Sequence, residues 1–304
     1  MDASVESNSV SSRLQAAIAQ AIAAAGGWLP FDRYMEMALY APGLGYYASA
    51  AEPFGHWPGS GSDFVTAPEL TPLFGRALAR QVSQALEASD TDSVLEFGAG
   101  SGALADTLLG VLGAQLRSYR IVELSATLRA QQAERLARFD RRVQWLDRMP
   151  ERIDGVVLGN EVLDAMPVQL LAFDGRRWCE RGVALDEQGV FVWRDRPTAL
   201  RPPHEDGLAS GSVTELHAQA QAFVATVAQA LHRGSAFFID YGFPAAEYYH
   251  PQRVGGTLMC HRAHRADGDP LRDVGLKDIT AHVDFSGVAL AGQDAGLDVL
   301  GYTS

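Results

Sequence analysis

Apolar residues recur with a helical period over residues 12–25, and the spacing predicts a first helix there. Ser11 or Ser12 supplies a cap, and Gly26-Gly27 marks the end. A second, short helix is expected over residues 31–39. Residues 40–62 lose the period and gather glycine, proline and rings, among them Gly43, Gly45, Tyr46, Tyr47, Trp57 and Pro58. That composition fits an ordered loop better than a flexible linker, which has no use for so many rings. Thr71-Pro72 reads as an N-cap and first helical position, opening a helix to about residue 88.

From Ser93 the pattern changes. Strands are expected over residues 94–97, 119–124, 143–146, 156–158 and 236–239, with helices over 101–112, 126–138 and 213–232. Short apolar strands interleaved with helices argue for an α/β fold, a mostly parallel sheet with helices on both faces. One interruption stands out. Residues 168–173, 177–185 and 190–193 look extended and are joined by Asp174-Gly175 and Gln188-Gly189. That is hairpin chemistry, so a small antiparallel insertion is placed near 168–212. A last strand is expected over residues 297–302, two residues before the chain stops, whereas a sheet of this type is expected to continue. The sequence therefore reads as truncated at its C-terminus. It divides into an N-terminal helical and loop extension over 1–90 and a core over 91–304.

Composition narrows the class. Of 304 residues 47% are hydrophobic and 20% charged, which excludes a disordered chain. A formal net charge of -12 disfavours binding to nucleic acid or to an anionic membrane. The two cysteines, Cys179 and Cys260, support neither a disulfide framework nor a four-cysteine zinc site. Residues 1–12 carry Asp2 and Glu6 but no basic residue, unlike a secretory or mitochondrial address, and residues 14–25 are too few to span a bilayer. A cytoplasmic protein is expected.

The strongest chemical signal is Val94-Leu95-Glu96-Phe97-Gly98-Ala99-Gly100-Ser101-Gly102, which ends a strand and opens a helix. Glycines let the backbone turn sharply and approach a ligand, and the helix start offers free N–H groups. Glu123 follows at the end of the next strand, placed to accept hydrogen bonds from ribose hydroxyls. The string Gly98-x-Gly100-x-x-Ala103 satisfies a dinucleotide fingerprint. It equally satisfies the Glu-x-Gly-x-Gly-x-Gly pattern of class I S-adenosylmethionine (SAM) methyltransferases. Glu96 tips the balance, because a carboxylate suits a cofactor with a cationic amino-acid end and repels a pyrophosphate.

The second signal is Asn160-Glu161-Val162-Leu163-Asp164-Ala165-Met166-Pro167, which follows the strand at 156–158. If a helical turn starts there, Glu161 and Asp164 share a face and can grip a guanidinium or ammonium. The alternative is plain capping, with Asn160 as N-cap and the acids favouring the helix dipole. Cys260-His261-x-x-His264 offers three metal-ligand types, but no fourth is nearby, so no metal is expected.

With these motifs the chain resembles the MidA-like family of SAM-dependent methyltransferases, relatives of a mitochondrial complex I assembly factor with protein-arginine methyltransferase activity. Ala38-Leu39-Tyr40-Ala41-Pro42-Gly43-Leu44-Gly45-Tyr46-Tyr47 looks like the family's first signature. Gly61-Ser62-Asp63-Phe64-Val65-Thr66-Ala67-Pro68-Glu69 resembles its second, with Ser62 intervening. Ile239-Asp240-Tyr241-Gly242 and Asp278-Ile279-Thr280-Ala281-His282-Val283-Asp284-Phe285 match later ones. Members usually run on beyond this C-terminus. The resemblance implies a class I (Rossmann-like) methyltransferase fold, with the N-terminal extension covering the cofactor site. It implies SAM, with S-adenosyl-L-homocysteine as product, held by Glu96, Gly98, Ala99, Gly100, Gly102, Glu123 and Leu124, with Asp63 and Thr66 folded back over it. Asn160, Glu161 and Asp164 are the expected catalytic residues, and Tyr241 and Pro167 the expected lining for the acceptor. The expected partner is a protein substrate, by family analogy a respiratory-complex subunit, methylated on arginine. A small-molecule methyltransferase and a SAM-binding assembly factor with little turnover are the rival readings.

Overall fold

The computed structural model of the protein describes residues 3–48 and 66–303. Two helices, α1 (Ala3–Ala24) and α2 (Phe31–Tyr40), flank a two-residue strand β1 (Leu29–Pro30). Then come α3 (Ala67–Leu70), α4 (Pro72–Ser89), β2 (Ser93–Phe97), α5 (Ala103–Leu112), β3 (Ser118–Val122), α6 (Ala126–Leu136), β4 (Val143–Leu146) and β5 (Ile153–Asn160). β6 (Gln169–Phe173), β7 (Trp178–Leu185), β8 (Phe191–Pro197) and β9 (Val213–Leu216) precede α7 (Ala218–Ala230) and β10 (Leu231–Ile239). The last stretch holds β11 (Gly242–Phe243), α8 (Ala245–Tyr248), β12 (Met259–Arg262), β13 (Arg265–Asp267), β14 (Asp278–Thr280), β15 (Val283–Asp284) and α9 (Phe285–Asp294). The chain divides into two compact units. One comprises Glu52–Leu163 and Ala225–Asp240; the other comprises Met1–Ala51, Asp164–Val224 and Tyr241–Ser304.

The first is a parallel-sheet unit with strand order β10-β5-β2-β3-β4. The central strands β2 and β5 are apolar and buried along nearly their whole length, whereas β3 alternates and the edge strands β4 and β10 are more exposed. Val94, Tyr119, Ile121, Val143, Val156 and Leu158 form one cluster with Leu78, Val82 and Leu86 of α4 and Leu104, Leu108 and Leu112 of α5. Full burial of each large side chain contributes roughly 1.5–3 kcal/mol. The helix start at Thr71-Pro72 is as expected, and Thr71 Oγ1 accepts the Leu73 N–H at 3.2 Å. α4 crosses α5 at Gly75, where a Cβ would lie 2.7 Å from Thr107 Cγ2. The sheet buries one polar pair: the Tyr119 hydroxyl donates to Glu96 Oε2 at 2.7 Å.

The second unit is built on an antiparallel sheet of order β1-β7-β6-β9, with β8 also on β7. The Asp174 and Asp186 carboxylates close its turns by accepting backbone N–H groups of residues 176–177 and of 188 and 190. Phe31 and Tyr34 of α2 pack on Trp193 and Phe191 of β8. Glu215 is fully buried and accepts from the Tyr248 hydroxyl and from the Thr257 and Leu258 N–H groups.

Four expectations need correction. Residues 213–232 do not form one helix: Val213–Leu216 pairs antiparallel with β6, and the helix starts at Ala218. Residues 297–302 form no strand; Leu300 is 84% exposed and pairs with no neighbour in the sheets of its unit. Ser11 is not a cap but lies inside α1, donating its hydroxyl to the Val274 carbonyl at 2.7 Å. The contacts divide the chain at 51/52, 163/164, 224/225 and 240/241 rather than near residue 90, because α3 and α4 pack with the parallel sheet while α1 and α2 pack with the insertion. Within the described residues no helix is long and apolar enough to cross a membrane.

Two predictions follow from this packing. Gly234 sits opposite Gly155 at φ +136, and a Cβ there would stand 1.8 Å from the Gly155 carbonyl oxygen. Gly234→Ala is therefore expected to cost about 3–5 kcal/mol of folding free energy by overpacking plus backbone strain, read by urea unfolding. The second concerns Glu96. Burial pushes its carboxyl from 4.5 up to about 7, against the opposing pull of the Tyr119 hydrogen bond. A folded value above the unfolded one means the neutral form favours the fold. That contribution is complete below pH 4.5 and is lost as pH rises through about 7. Against Glu96→Gln, the ligand-free wild type should lose about 3 kcal/mol across that window. Parallel stability curves for the two proteins would contradict it.

Candidate functional site

β2 leaves the sheet at Phe97 and the chain turns through Gly98 (φ 64), Gly100 (φ 53) and Gly102 (φ 83) before α5 begins. All three are left-handed, a conformation that costs other L-residues roughly 1–2 kcal/mol each. The turn is closed by the Gly102 N–H donating to the Ala99 carbonyl at 2.8 Å, and Ala99 itself is buried. A Cβ on Gly98 would lie 2.7 Å from Val162 Cγ2, so the loop after β5 leans directly on this turn.

Glu123 stands just past the end of β3. Its Oε1 accepts the Ser125 N–H at 2.8 Å, and its Oε2 accepts from Gln132 Nε2 at 3.3 Å. Each carboxylate oxygen accepts two hydrogen bonds, so both keep capacity for a ligand hydroxyl. Leu124, next in the chain, is 79% exposed, an apolar side chain held in the open beside that carboxylate. Gln132 also donates to the Gly100 carbonyl at 2.8 Å and accepts from Trp145 Nε1 at 2.8 Å.

The Thr66–Glu69 stretch comes to the same place. Thr66 caps α3 through its carbonyl, which accepts from Glu69 and Leu70. The Glu69 carboxylate is hydrogen-bonded by Ser101 Oγ of the glycine turn, and Arg135 of α6 reaches both Ser101 and Glu69. Asp63 lies outside the described residues.

Glu161 follows β5 in the left-handed conformation, φ 52, with its N–H donating to the Ile239 carbonyl at 2.8 Å. Asp240 Oδ2, at the end of β10, accepts the Val162 and Leu163 N–H groups at 3.1 and 2.9 Å. No helix starts here, which corrects the expectation that Glu161 and Asp164 share a helical face: the amides a helix start would leave open are taken by Asp240. The Glu161 carboxylate accepts from Asn160 Nδ2 at 3.4 Å and from the Ala67 N–H. Burial and the nearby Asp240 charge raise its pKa above the ordinary carboxylate value, while those two hydrogen bonds oppose the rise.

Of the expected residues, Thr66, Glu96, Gly98, Ala99, Gly100, Gly102, Glu123, Leu124, Asn160 and Glu161 thus fall in the parallel-sheet unit. Asp164, Pro167 and Tyr241 fall in the other. Asp164 accepts the Ala281 N–H on its carbonyl, Pro167 is buried, and Tyr241 is 57% exposed with its carbonyl taken by the Val283 N–H. Cys260 and His261 lie on β12, and Ala263-His264, both at positive φ, form the two-residue turn into β13. Burial pushes the Cys260 thiol up to about 12, away from the thiolate a metal needs. Among the described residues no three His, Cys, Asp or Glu side chains gather as a metal set.

Gln132, Arg135 and Tyr119 were not singled out by sequence reasoning. Gln132 had a readable signal: with Leu128 and Leu136 it occupies the buried stripe of α6 at four-residue spacing. A polar residue on such a stripe needs partners.

The donor set around the glycine turn decides between the two cofactors. Glu69 and Glu123 are linked to it through Ser101 and Gln132, the buried Glu96 lies two residues before Gly98, and Arg135 is engaged by Glu69. Arg129 and Arg135, the cations beside these acceptors among the described residues, are paired with Asp147 and Glu69, which disfavours a pyrophosphate, whereas a cofactor with a ribose diol and a cationic end fits acceptor oxygens. The comparisons with known proteins agree. A Burkholderia thailandensis protein crystallised with S-adenosyl-homocysteine is 56% identical, with a TM-score of 0.94 over 98% of this chain and 80% of that one. A second, native Burkholderia thailandensis structure is 55% identical, with a TM-score of 0.89 over 98% and 79%. Among curated proteins, the Danio rerio protein arginine methyltransferase NDUFAF7, mitochondrial, is 28% identical over 93% of this chain and 72% of its own length. The Caenorhabditis elegans homologue is 25% identical over 85% and 67%. The chain thus spans about two thirds of the length of these curated relatives. Both carry the description "mitochondrial", which overturns the expectation of a cytoplasmic protein as a reading of the family. Residues 77–303 match the family Methyltransf_28, described as "Putative S-adenosyl-L-methionine-dependent methyltransferase", and the chain belongs to that family, with S-adenosyl-L-methionine as its cofactor.

Proposed function

We propose that this methyltransferase acts on a protein side chain, arginine, with Glu161 as the residue that orients the guanidinium and accepts its proton. The observation that carries the reading is the state of Glu161: a part-buried carboxylate with raised proton affinity, fixed at the end of β5 in the same unit as the glycine turn. The printed descriptions of the curated relatives support arginine as the acceptor at 25–28% identity.

S-adenosyl-L-methionine supplies an electrophilic methyl group on a sulfonium centre. Glu123 accepts from the ribose hydroxyls, and Leu124 offers an apolar face to the base. Gly98, Ala99, Gly100 and Gly102 let the backbone lie close to the ligand, and Thr66 lies beside the glycine turn through α3. Glu96 faces the cationic amino-acid end.

An arginine side chain is a cation below pH ~12 and a poor nucleophile. Glu161 would bind two of its N–H groups, draw positive charge away from the attacking nitrogen and take the proton as the C–N bond forms and the methyl–sulfur bond breaks, its electron pair staying on the departing thioether. Its raised proton affinity improves the driving force for that transfer. Asn160 steadies the carboxylate through its amide. The amides of Val162 and Leu163, tied to Asp240, hold the segment so that orientation is set before the acceptor arrives. The proton-accepting role is assigned to Glu161 because its carboxylate is fixed in the same unit as the glycine turn.

The deciding experiment is incubation of the enzyme with methyl-labelled SAM and a cell lysate, followed by acid hydrolysis. Label recovered as methylarginine from a protein band is the expected result. Label in a small-molecule fraction would replace the protein reading, and binding without transfer would favour an assembly role. Glu161→Gln is expected to lower kcat by ~10²-fold or more while the Kd for S-adenosyl-homocysteine changes less than about threefold. Retained turnover would remove Glu161 from the mechanism.

A further inference from the structure

Gln132 is fully buried, and each polar group of its amide has a protein partner. The Trp145 indole is a donor only, and it lies 2.8 Å from Gln132 Oε1. That contact fixes which way the amide faces. The nitrogen then points at two acceptors of the cofactor site, the Gly100 carbonyl at 2.8 Å and Glu123 Oε2 at 3.3 Å. One side chain spans the two features that make the site: the glycine turn after β2 and the carboxylate after β3. The helix carrying it is held at the same end, where Ser125 caps α6 and lends its own N–H to Glu123 Oε1 at 2.8 Å.

From this geometry we infer that Gln132, oriented by Trp145, is a positioning residue for the methyl donor, setting the placement of the Glu123 carboxylate relative to the glycine turn. The inference rests on the reading of Glu123 as the ribose acceptor. Gln132 itself does not touch the ligand. It saturates one lone pair of Glu123 Oε2 and one of the Gly100 carbonyl, which leaves the remaining lone pairs in fixed directions. A ribose diol needs two acceptors at a set spacing, so a carboxylate free to rotate would lose affinity through disorder rather than through loss of charge.

Glutamate is the informative substitution because it is nearly isosteric. In Gln132→Glu the indole contact survives, but an oxygen now faces two acceptors. The introduced carboxyl must take up a proton before it can donate. Binding of S-adenosyl-homocysteine, measured by calorimetry, is expected to weaken about tenfold at about pH 8, the loss of a charge-assisted hydrogen bond. It should recover toward the wild-type value as pH falls to about 5.5, relative to wild type at each pH. Glu123→Gln serves as the reference. If Gln132 acts through Glu123, the double variant binds no more weakly than Glu123→Gln alone.

The outcomes separate cleanly. Weakening by both single variants, recovery at low pH for Gln132→Glu, and no further loss in the double variant support the inference. If Glu123→Gln weakens binding but Gln132→Glu does not, or the two losses multiply, the inference fails and the cofactor reading stands. If Glu123→Gln leaves affinity unchanged, the ribose reading fails and takes this inference with it. Should Gln132→Glu not fold by circular dichroism, Gln132→Met tests the same cycle without the pH arm.

Discussion

The site depends on a backbone constraint. Where β2 and β5 leave the parallel sheet, the chain turns back in left-handed conformations at Gly98, Gly100, Gly102 and Glu161. Three of the four carry no Cβ, which removes the usual steric cost. The fourth keeps its side chain. A glutamate at φ 52 accepts about 1–2 kcal/mol of strain that glycine would avoid. Its surroundings hold it there: the Ile239 carbonyl takes its N–H, and Asp240 takes the next two. The sheet therefore does more than present loops. β10 supplies both the carbonyl and the carboxylate that fix the turn after β5, and the paired glycines at 155 and 234 let those strands approach closely enough to do so.

Much of this was legible from residue types. The glycine turn, the Thr71-Pro72 helix start and the hairpins at Asp174-Gly175 and Gln188-Gly189 each announce themselves, because the residue that solves a local backbone problem is also the residue one sees. The errors have the opposite character. Asn160-Glu161 followed by Asp164 looks like a helix start because such residues satisfy open amides. Here the amides of Val162 and Leu163 are satisfied by Asp240, more than 75 positions away in the chain, and no local spacing reports that. Val213–Leu216 precedes an alanine-rich helix with no Gly or Pro between them, so the pattern runs on. Only the pairing with β6 and the burial of Glu215 define it as a strand.

Buried polar groups are where tertiary structure speaks most plainly. Glu96, Gln132, Glu215 and Asp284 all sit at interior positions, and each has hydrogen-bond partners on another element. An unsatisfied group of this kind costs about 1–3 kcal/mol, so each constrains which elements can lie together. Glu96 ties β2 to β3, and Gln132 ties α6 to the glycine turn. Apolar contacts set the sheet and its covering helices, but they tolerate sliding. Directional bonds do not, and Glu96 and Gln132 place two of them beside the glycine turn.

The electrostatics of the site follow from the same arrangement. Two glutamates of the parallel-sheet unit, Glu96 and Glu161, have proton affinities raised chiefly by burial. Burial disfavours their charged forms, so both hold protons more tightly. A cationic ligand group beside either carboxylate would favour its charged form, so binding of a sulfonium- and ammonium-bearing molecule there would be coupled to proton release. Loss of that positive charge on methyl transfer removes part of the attraction.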